Sequence, residues 1–277
     1  MSNLIQAADL IKLLGDETLR VVDTRFSLAD PEAGEKAYRE GHIPGAIFFD
    51  LDKDLSQAPG NHGGRHPLPA MTAFAQKLGQ RGIGNEYQIV VYDDASGMYA
   101  GRLWFMLSYA GHGAVRVLDG GIQAYLAAGG QLEPDLPSYL ETQFALNLQE
   151  DKLVSKDYVL RNLENPDVLL VDARAAERYR GDVEPLDPKA GHIPGAMNLP
   201  FADNLRDGKY KSPEELKERF SDLEEAEEII VYCGSGVSAN HNFIALEEAG
   251  FKNIKLYGGS WSDWSSYQDN PIATGEE

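Results

Sequence analysis

The chain contains a single cysteine, Cys233, in the segment CGSGVSAN. An apolar run, EEIIVY, precedes this cysteine, and a stretch suited to a helix, NHNFIALEEAG, follows it. This order predicts a buried strand, a loop of small residues and a helix, with Cys233 at the carboxyl end of a parallel strand, where open α/β sheets bind ligands. A lone cysteine forms no internal disulfide and no CxxC metal site, so we expect either a reactive thiol or a small buried apolar residue.

The loop after the cysteine favours the reactive thiol. Gly234, Ser235, Gly236 and Val237 allow the backbone to curl, so that several N–H groups turn towards the sulfur at the start of a helix. Such a nest stabilises a thiolate, a persulfide or an oxyanion. The alternative is a glycine-rich turn in which the cysteine is incidental, and we expect the nucleophile instead.

The sequence also repeats itself over a long period. Four segments of the first half recur in the second half in the same order: VVDTR (21–25) as LVDAR (170–174), GHIPGA (41–46) unchanged (191–196), VVYDD (90–94) as IVYCG (230–234), and LDGGIQAY (118–125) as YGGSWSDW (257–264). A period this long is typical of a duplicated domain rather than of a solenoid. We predict an N-terminal domain over residues 1–132, a surface linker over 133–152 and a C-terminal domain over 153–277.

Both halves alternate short β-rich runs with amphipathic segments. The runs are LRVVD, QIVVY and AVRVL in the first half and DVLLVD, EIIVY and NIKLY in the second half. This alternation predicts the α/β class, with a mainly parallel central sheet and helices on both faces in each domain. Ser212, Pro213 and Glu215 supply an N-cap, a first-turn proline and a capping-box acid for one of the helices.

The composition limits the partners of the protein. The formal net charge is -19, whereas nonspecific nucleic-acid binding requires clustered Lys and Arg. The apolar fraction of 43% is ordinary, and no apolar run approaches the length of a membrane span. The N-terminal residues suit a short amphipathic helix rather than a secretory signal. We expect a soluble, cytoplasmic protein that binds neither nucleic acid nor a membrane.

Other polar residues have structural explanations. Because GHIPGA occurs in both halves and the cysteine in only one, we expect His42 and His192 to organise turns. Architectural ion pairs are expected for the aspartate and arginine of each VD[TA]R segment: Asp23 with Arg25 and Asp172 with Arg174.

A metal site is an alternative that the histidines do not favour. Its candidate ligands are His62, His66, His241 and Glu247. His62 and His66 lie in a Gly/Pro-rich loop without helical spacing, so we interpret them as solvated loop histidines. The predicted site therefore contains no metal and no cofactor.

The duplicated VD[TA]R, GHIPGA and glycine-rich segments, ending in CGSGVSA, resemble the two-domain rhodanese and 3-mercaptopyruvate sulfurtransferase family over nearly the whole chain. The resemblance implies two tandem rhodanese-like domains, of which the first is an inactive copy with Asp93 at the position of Cys233. It implies that sulfur moves from a small anionic donor, 3-mercaptopyruvate or thiosulfate, to a thiol or cyanide through a Cys233 persulfide. A thioredoxin-like protein is one candidate thiol.

The resemblance also implies roles for individual residues. Cys233 is the nucleophile, Ser235 is catalytic as part of a proton relay, and His42 is the candidate histidine of that relay. Arg178 corresponds to the family's donor-binding arginine. The resemblance assigns the remaining substrate contacts to the loop residues Gly234, Ser235, Gly236, Val237 and Ser238.

The donor itself is not decided by these residues. Gly234 and Ser235 match the pattern of the mercaptopyruvate enzymes, but the second arginine that those enzymes carry about nine residues after the first is missing. Lys189 lies nearby as a substitute, although it lacks the planar fork that grips a carboxylate twice. We expect activity with both donors.

Two alternatives come from other classes. A Cys-loop phosphatase would need an arginine at the end of the loop to clamp the phosphoryl oxygens, where this chain has Ala239 and Asn240. A catalytically silent binding module would be favoured by aspartate at both 93 and 233, whereas residue 233 is cysteine. We therefore predict the sulfurtransferase.

Overall fold

The computed structural model describes residues 2–276 and divides the chain into two compact units. The N-terminal unit runs to Gln57 and resumes over Leu68–Gln149. The C-terminal unit combines Ala58–Pro67 with the chain from Glu150 onward. A segment of the first half of the sequence, Ala58–Pro67, therefore belongs to the second unit. Most of the predicted linker, up to Gln149, belongs to the first.

The N-terminal unit is built on a parallel five-stranded sheet. Its strands are β1 (Leu4–Ile5), β2 (Leu19–Asp23), β3 (Ile47–Phe48), β4 (Gln88–Tyr92) and β5 (Val115–Leu118). They lie in the order β1-β5-β4-β2-β3. Its helices are α1 (Ala7–Leu13), α2 (Ala33–Glu40), α3 (Met71–Gln80), α4 (Ala100–Tyr109) and α5 (Gly121–Ala127).

The C-terminal unit repeats this plan with the strand order β6-β12-β11-β7-β8, all parallel, and adds the antiparallel pair β9-β10. Its strands are β6 (Leu153–Val154), β7 (Val168–Asp172), β8 (Met197–Asn198), β9 (Leu205–Arg206), β10 (Lys209–Tyr210), β11 (Glu228–Tyr232) and β12 (Ile254–Tyr257). Its helices are α6 (Lys156–Arg161), α7 (Ala176–Tyr179), α8 (Pro213–Arg219), α9 (Ala239–Glu248) and α10 (Ser260–Trp264).

The predicted α/β fold class is confirmed, and the central strands show why the sequence reveals it. A strand in the middle of a parallel sheet is covered on both faces and therefore forms a continuous apolar run. Every residue of β11 is buried, and Trp261 and Trp264 pack in the same core cluster with no exposed surface. The predicted capping box is present at the start of α8, where Ser212 and Glu215 exchange hydrogen bonds with each other's backbone N–H groups.

The segment after α5 runs along the surface of the N-terminal unit without regular structure over residues 134–149. Its Tyr139 hydroxyl donates to the carbonyl of Gly45 at 2.8 Å. The N–H of Thr142 donates to the carbonyl of Gly79 at 2.9 Å. Leu140 is 92% exposed, in keeping with the predicted surface position. Within residues 2–276, none of the helices has the length and apolar character needed to cross a lipid bilayer.

Candidate active site

Cys233 directly follows β11, the central strand of the C-terminal sheet, and is only 2% exposed. The turn at the start of α10 forms hydrogen bonds with both the N–H and the carbonyl of Cys233. The N–H of Cys233 donates to the Ser260 hydroxyl at 3.1 Å, and the N–H of Trp261 donates to the Cys233 carbonyl at 2.9 Å. The N–H of Ser262 donates to the carbonyl of Gly234 at 2.8 Å. These bonds fix the backbone on either side of the sulfur.

The loop between Cys233 and α9 requires glycine at one position. Gly236 has φ of +73°, and a Cβ added there would lie 2.1 Å from the carbonyl oxygen of Gly258. The curl that results leaves amides without partners. Within residues 2–276, the N–H groups of Ser235, Val237 and Ala239 have no protein acceptor. The loop therefore has donors available for a ligand.

The corresponding loop of the N-terminal unit is occupied by its own side chain. One carboxylate oxygen of Asp93 accepts from the N–H groups of Ala95 and Gly97 at 3.0 and 2.9 Å. The other accepts from those of Tyr99 and Ala100 at 2.8 and 2.9 Å. Because Asp93 aligns with Cys233, this arrangement identifies the loop backbone as an anion cradle.

The segment Ala58–Pro67 packs against the turn that holds Cys233. The N–H of Gly63 donates to the Asp263 carboxylate at 2.7 Å, and the N–H of Arg65 donates to the Ser262 hydroxyl at 3.0 Å. Gly64 has φ of +84°, and a Cβ there would lie 2.5 Å from a carbonyl oxygen of the turn. These contacts bring two side chains of the segment, those of Arg65 and His66, to the loop that follows Cys233.

His66 is the histidine that contacts the loop. Its Nδ1 lies 2.7 Å from the hydroxyl of Ser235, and the residue is 8% exposed. The interpretation of His66 as a solvated loop histidine is therefore wrong, because the segment folds onto the C-terminal unit and buries the ring. His62 of the same segment contacts Ser266 instead, with 2.7 Å between Nδ1 and the hydroxyl oxygen.

His42, the histidine predicted for the relay, lies in the N-terminal unit as a turn-forming residue. Its Nδ1 is 2.7 Å from the carbonyl oxygen of Tyr38, and its Nε2 is 3.2 Å from that of Asp135. The ring is fully buried and stacks on Tyr38. Both ring nitrogens are thus engaged by backbone carbonyls, while the hydrogen bond to Ser235 comes from His66.

The remaining architectural predictions are confirmed. Arg174 and Asp172 form a buried pair at 2.7 Å, and Arg174 also donates to the carbonyl of Gly191 at 2.7 Å. His192 contacts the carbonyl of Tyr179 through Nδ1 at 2.8 Å. The N-terminal unit repeats the ion pair, the arginine–carbonyl bond and the histidine contact with the following residues: Asp23, Arg25, Gly41, His42 and Tyr38.

Two guanidinium groups flank Gly234, the residue after the cysteine. Nitrogen atoms of Arg65 and Arg178 lie 3.0 and 3.4 Å from the position that a Cβ of Gly234 would occupy. Arg178 donates to Glu184 at 2.7 Å. The structure thus places Arg178 beside the loop as predicted, and it also places Arg65 there, a residue that no sequence pattern indicated. The ammonium of Lys189, the predicted substitute for a second arginine, donates to the carbonyl of Tyr267 at 2.9 Å.

Two buried carboxyl groups balance these arginines. Burial acts to raise the pKa of Glu184, but the hydrogen bond from Arg178 and nearby backbone N–H groups hold that pKa below its usual value. Asp187 lies 3.0 Å from Arg65 and 3.5 Å from Arg178. Burial raises the pKa of Asp187, although the arginines oppose that effect.

The other metal-ligand candidates lie in separate environments. His241 is buried and stacks on Tyr210 with 4.1 Å between ring centroids. Glu247 pairs with Lys152 at 3.5 Å. Nowhere in the described part of the chain do three or more His, Cys, Asp or Glu side chains come together as a metal-binding group.

One sequence signal points to the segment that supplies Arg65 and His66. The stretch between GHIPGA and the next helix is longer in the first half, where it ends at α3, than in the second half, where it ends at α8. The longer stretch contains GNHGGRHPLP, which carries two histidines and an arginine. The length difference marks this stretch as an addition to the first half, but it does not show which surface the stretch covers.

Known proteins resemble this chain over both of its units. The model of the rhodanese-like domain matches residues 6–128 and 155–267. The chain is 44% identical to a probable 3-mercaptopyruvate sulfurtransferase of Pseudomonas aeruginosa, covering 99% of both chains. It is 37% identical to the thiosulfate sulfurtransferase of Mus musculus, covering 89% of this chain and 85% of the relative. The solved 3-mercaptopyruvate sulfurtransferase from Leishmania major superposes with a TM-score of 0.84 at 31% identity, covering 98% of this chain and 76% of that one.

Proposed function

This chain belongs to the rhodanese-like family, and on that premise we propose that it transfers sulfane sulfur from 3-mercaptopyruvate or thiosulfate to a thiol or cyanide through a persulfide of Cys233. One observation carries the proposal. The only cysteine of the chain directly follows the central strand, at the start of a loop in which the N–H groups of Ser235, Val237 and Ala239 have no protein acceptor within residues 2–276. Amide donors directed at a sulfur anion stabilise both the thiolate and the persulfide.

Loading from thiosulfate needs no proton. The Cys233 thiolate attacks the outer sulfur of the donor, a sulfur–sulfur bond forms, and the bond between the two donor sulfurs breaks. Its electron pair leaves with sulfite. The products are the Cys233 persulfide anion and sulfite, which together carry the same charge as the thiolate and thiosulfate.

Loading from 3-mercaptopyruvate does need a proton transfer. The thiolate attacks the donor sulfur, the carbon–sulfur bond breaks, and its electron pair remains on the carbon as the enolate of pyruvate. The proton of the donor thiol must then reach that carbon to give pyruvate. The 2.7 Å contact between Ser235 and His66 supplies a pair of groups that can carry this proton next to the cysteine.

The acceptor completes the cycle. Cyanide attacks the outer sulfur of the persulfide and leaves as thiocyanate, and a thiol instead leaves as its own persulfide. Either reaction returns the Cys233 thiolate. A small thiol or a thioredoxin-like protein fits the second reaction, since both present a sulfur nucleophile.

The test is a single-turnover loading experiment. The protein is mixed with each donor separately, sulfite or pyruvate is measured, and Cys233 is checked by mass spectrometry for one added sulfur. We expect one sulfur per chain in the wild type and none in Cys233→Ser, which keeps the size of the side chain but has a far weaker nucleophile at neutral pH. Circular dichroism controls for folding of the variant. A wild type that gains no sulfur from either donor would refute the proposal.

A further inference from the structure

We infer that Arg65 is a second donor-binding residue, which together with Arg178 grips the anionic oxygen group of the sulfur donor. The inference rests on the proposed function and adds a residue to its site. Arg65 comes from the first half of the sequence, yet it belongs to the C-terminal unit through the segment Ala58–Pro67. Its ligand chemistry is a carboxylate or a sulfonate, the groups that 3-mercaptopyruvate and thiosulfate carry beside the transferred sulfur.

The position of the two guanidinium groups is the first support. Both lie against Gly234, the residue next to the nucleophile, and both approach the space that a side chain there would fill. A side chain at position 234 would meet the two cations, so the glycine keeps that space open. An anion lying there would contact both arginines within one residue of the sulfur.

The hydrogen-bonding state of the arginines is the second support. Arg178 uses Nε and Nη2 on Glu184, and its Nη1 has no protein acceptor within residues 2–276. Arg65 meets Asp187 through Nε, and neither of its terminal nitrogens has an acceptor in that described range. Their side chains are only 28% and 19% exposed for Arg65 and Arg178. Partly buried guanidinium N–H groups without acceptors are suited to a bound anion.

The neighbouring carboxylate is the third support. Asp187 lies within 3.0 and 3.5 Å of the two arginines, so a protein carboxylate already approaches both of them. Arg65 supplies this second guanidinium from a different segment of the same unit, with Asp187 as its counterion. A guanidinium in this role is not replaced by lysine, because only the planar fork offers two parallel donors.

The experiment measures loading of Cys233 as a function of donor concentration in the wild type, Arg65→Ala and Arg65→Lys. Arg180→Ala is the matched control, since it removes the same charge from the same unit and its side chain pairs with Asp182. We expect Arg65→Ala to raise the half-saturating concentration of each donor about tenfold, the usual size of a lost charged hydrogen bond. Arg65→Lys should recover only part of this loss, and Arg180→Ala should match the wild type.

Discharge of the preloaded persulfide by dithiothreitol, a neutral acceptor, gives a second readout. It should proceed at the wild-type rate in Arg65→Ala, because no anion is bound in that step. If the half-saturating concentration rises for only one of the two donors, Arg65 is assigned to the carboxylate or sulfonate of that donor. If the wild type loads normally and Arg65→Ala has unchanged half-saturation for both donors, the inference is overturned while the proposed function stands. If the wild type does not load, the proposed function itself fails.

Because removing Arg65 leaves Asp187 buried without its nearest cation, the single variant can lose stability. The double variant Arg65→Ala/Asp187→Asn removes both charges and keeps the shape of residue 187. It serves as the test protein if Arg65→Ala fails to fold, and Asp187→Asn alone is its reference. The same tenfold rise is expected between those two proteins, and equal half-saturation for both donors would contradict the role of Arg65.

Discussion

The loops that follow the two central strands share one backbone plan and differ in where their anion comes from. In both units the residue after the strand accepts a hydrogen bond at 2.9 Å from the turn below, given by Ile122 to Asp93 and by Trp261 to Cys233. In the N-terminal loop the Asp93 carboxylate occupies the cradle and receives four N–H groups. In the C-terminal loop a cysteine stands there instead, and the amides remain available for a sulfur anion.

The two loops show how one backbone plan holds either a fixed carboxylate or a cysteine. A carboxylate in the cradle satisfies the amides permanently, so the N-terminal loop has no room for a substrate anion and no thiol to carry sulfur. The cysteine leaves the donors unsatisfied, and such groups cost stability when they are buried. We therefore expect the C-terminal loop to be less stable than its counterpart, as in functional sites that keep strained or unsatisfied groups.

The largest expected effect comes from replacing Cys233 with aspartate, the residue that the N-terminal loop carries at the corresponding position 93. Cys233→Asp should abolish sulfur transfer with both donors, because no nucleophilic sulfur remains. The introduced carboxylate should also accept the N–H groups of Ser235, Val237 and Ala239, as Asp93 accepts their equivalents. We therefore expect Cys233→Asp to unfold at a higher temperature than Cys233→Ala, which leaves those amides without an acceptor. Thermal unfolding followed by circular dichroism measures the difference.

Cys233→Ala is the matched control because it removes the sulfur without adding an acceptor. Both variants should be inactive, so only stability separates them. If Cys233→Asp unfolds at the lower temperature, the C-terminal loop does not present its amides to residue 233, and its similarity to the N-terminal loop ends at the backbone trace.

A second replacement concerns the position two residues later, which is Ser235 in one loop and Ala95 in the other. Ser235→Ala breaks the contact with His66. We expect loading from 3-mercaptopyruvate to slow by about 100-fold, the lower end of what general acid–base catalysis contributes. Loading from thiosulfate should change far less, because that reaction moves no proton. Single-turnover rates with the two donors measure the split.

His66→Gln should also slow loading from 3-mercaptopyruvate much more than loading from thiosulfate. The double variant Ser235→Ala/His66→Gln should load no more slowly than either single variant, since the two groups act as a pair. His62→Gln is the control, because His62 belongs to the same segment but contacts Ser266. Equal losses with both donors would mean that Ser235 and His66 shape the loop rather than move a proton.

The sequence predicts those parts of the molecule that depend on neighbouring residues or on the repeat. Apolar runs such as DVLLVD identify the strands, because a buried parallel strand is apolar throughout. The lone cysteine after the run EIIVY identifies the end of the central strand, and the duplicated segments identify both sheets. Arg178 follows from its place after VDAR in a family that the chain resembles.

The parts that sequence reasoning misses depend on contacts between distant segments. His66 and Ser235 are 169 positions apart, and Arg65 and Ser262 are 197 apart. No local pattern in GNHGGRHPLP shows which surface that loop covers, so its composition favours solvated histidines. The choice of His42 fails for the same reason, since its backbone contacts within the N-terminal unit arise from tertiary packing around the GHIPGA turn.

The smallest expected effect comes from Asp187, a carboxylate that lies close to both Arg65 and Arg178. If Arg65 and Arg178 bind the donor as inferred, Asp187 competes with the donor for the same two guanidinium groups. Asp187→Asn removes that competition, so the half-saturating donor concentration should fall about threefold, in the range of a partly exposed ion pair. The loading experiment with each donor measures this change. If the half-saturating donor concentration rises instead, Asp187 positions Arg65 for the donor.

The stability of Asp187→Asn relative to the wild type should depend on pH. Burial raises the pKa of Asp187, so its ionised form is disfavoured in the folded state relative to the unfolded chain. The resulting loss of folding stability is absent below the unfolded-state pKa of about 3.9 and is complete above the raised folded-state pKa. An asparagine side chain at this position carries no such cost, so the stability of Asp187→Asn relative to the wild type should increase as the pH rises through that window. Thermal unfolding at pH values on either side measures it, and a decrease would show that the two arginines outweigh burial.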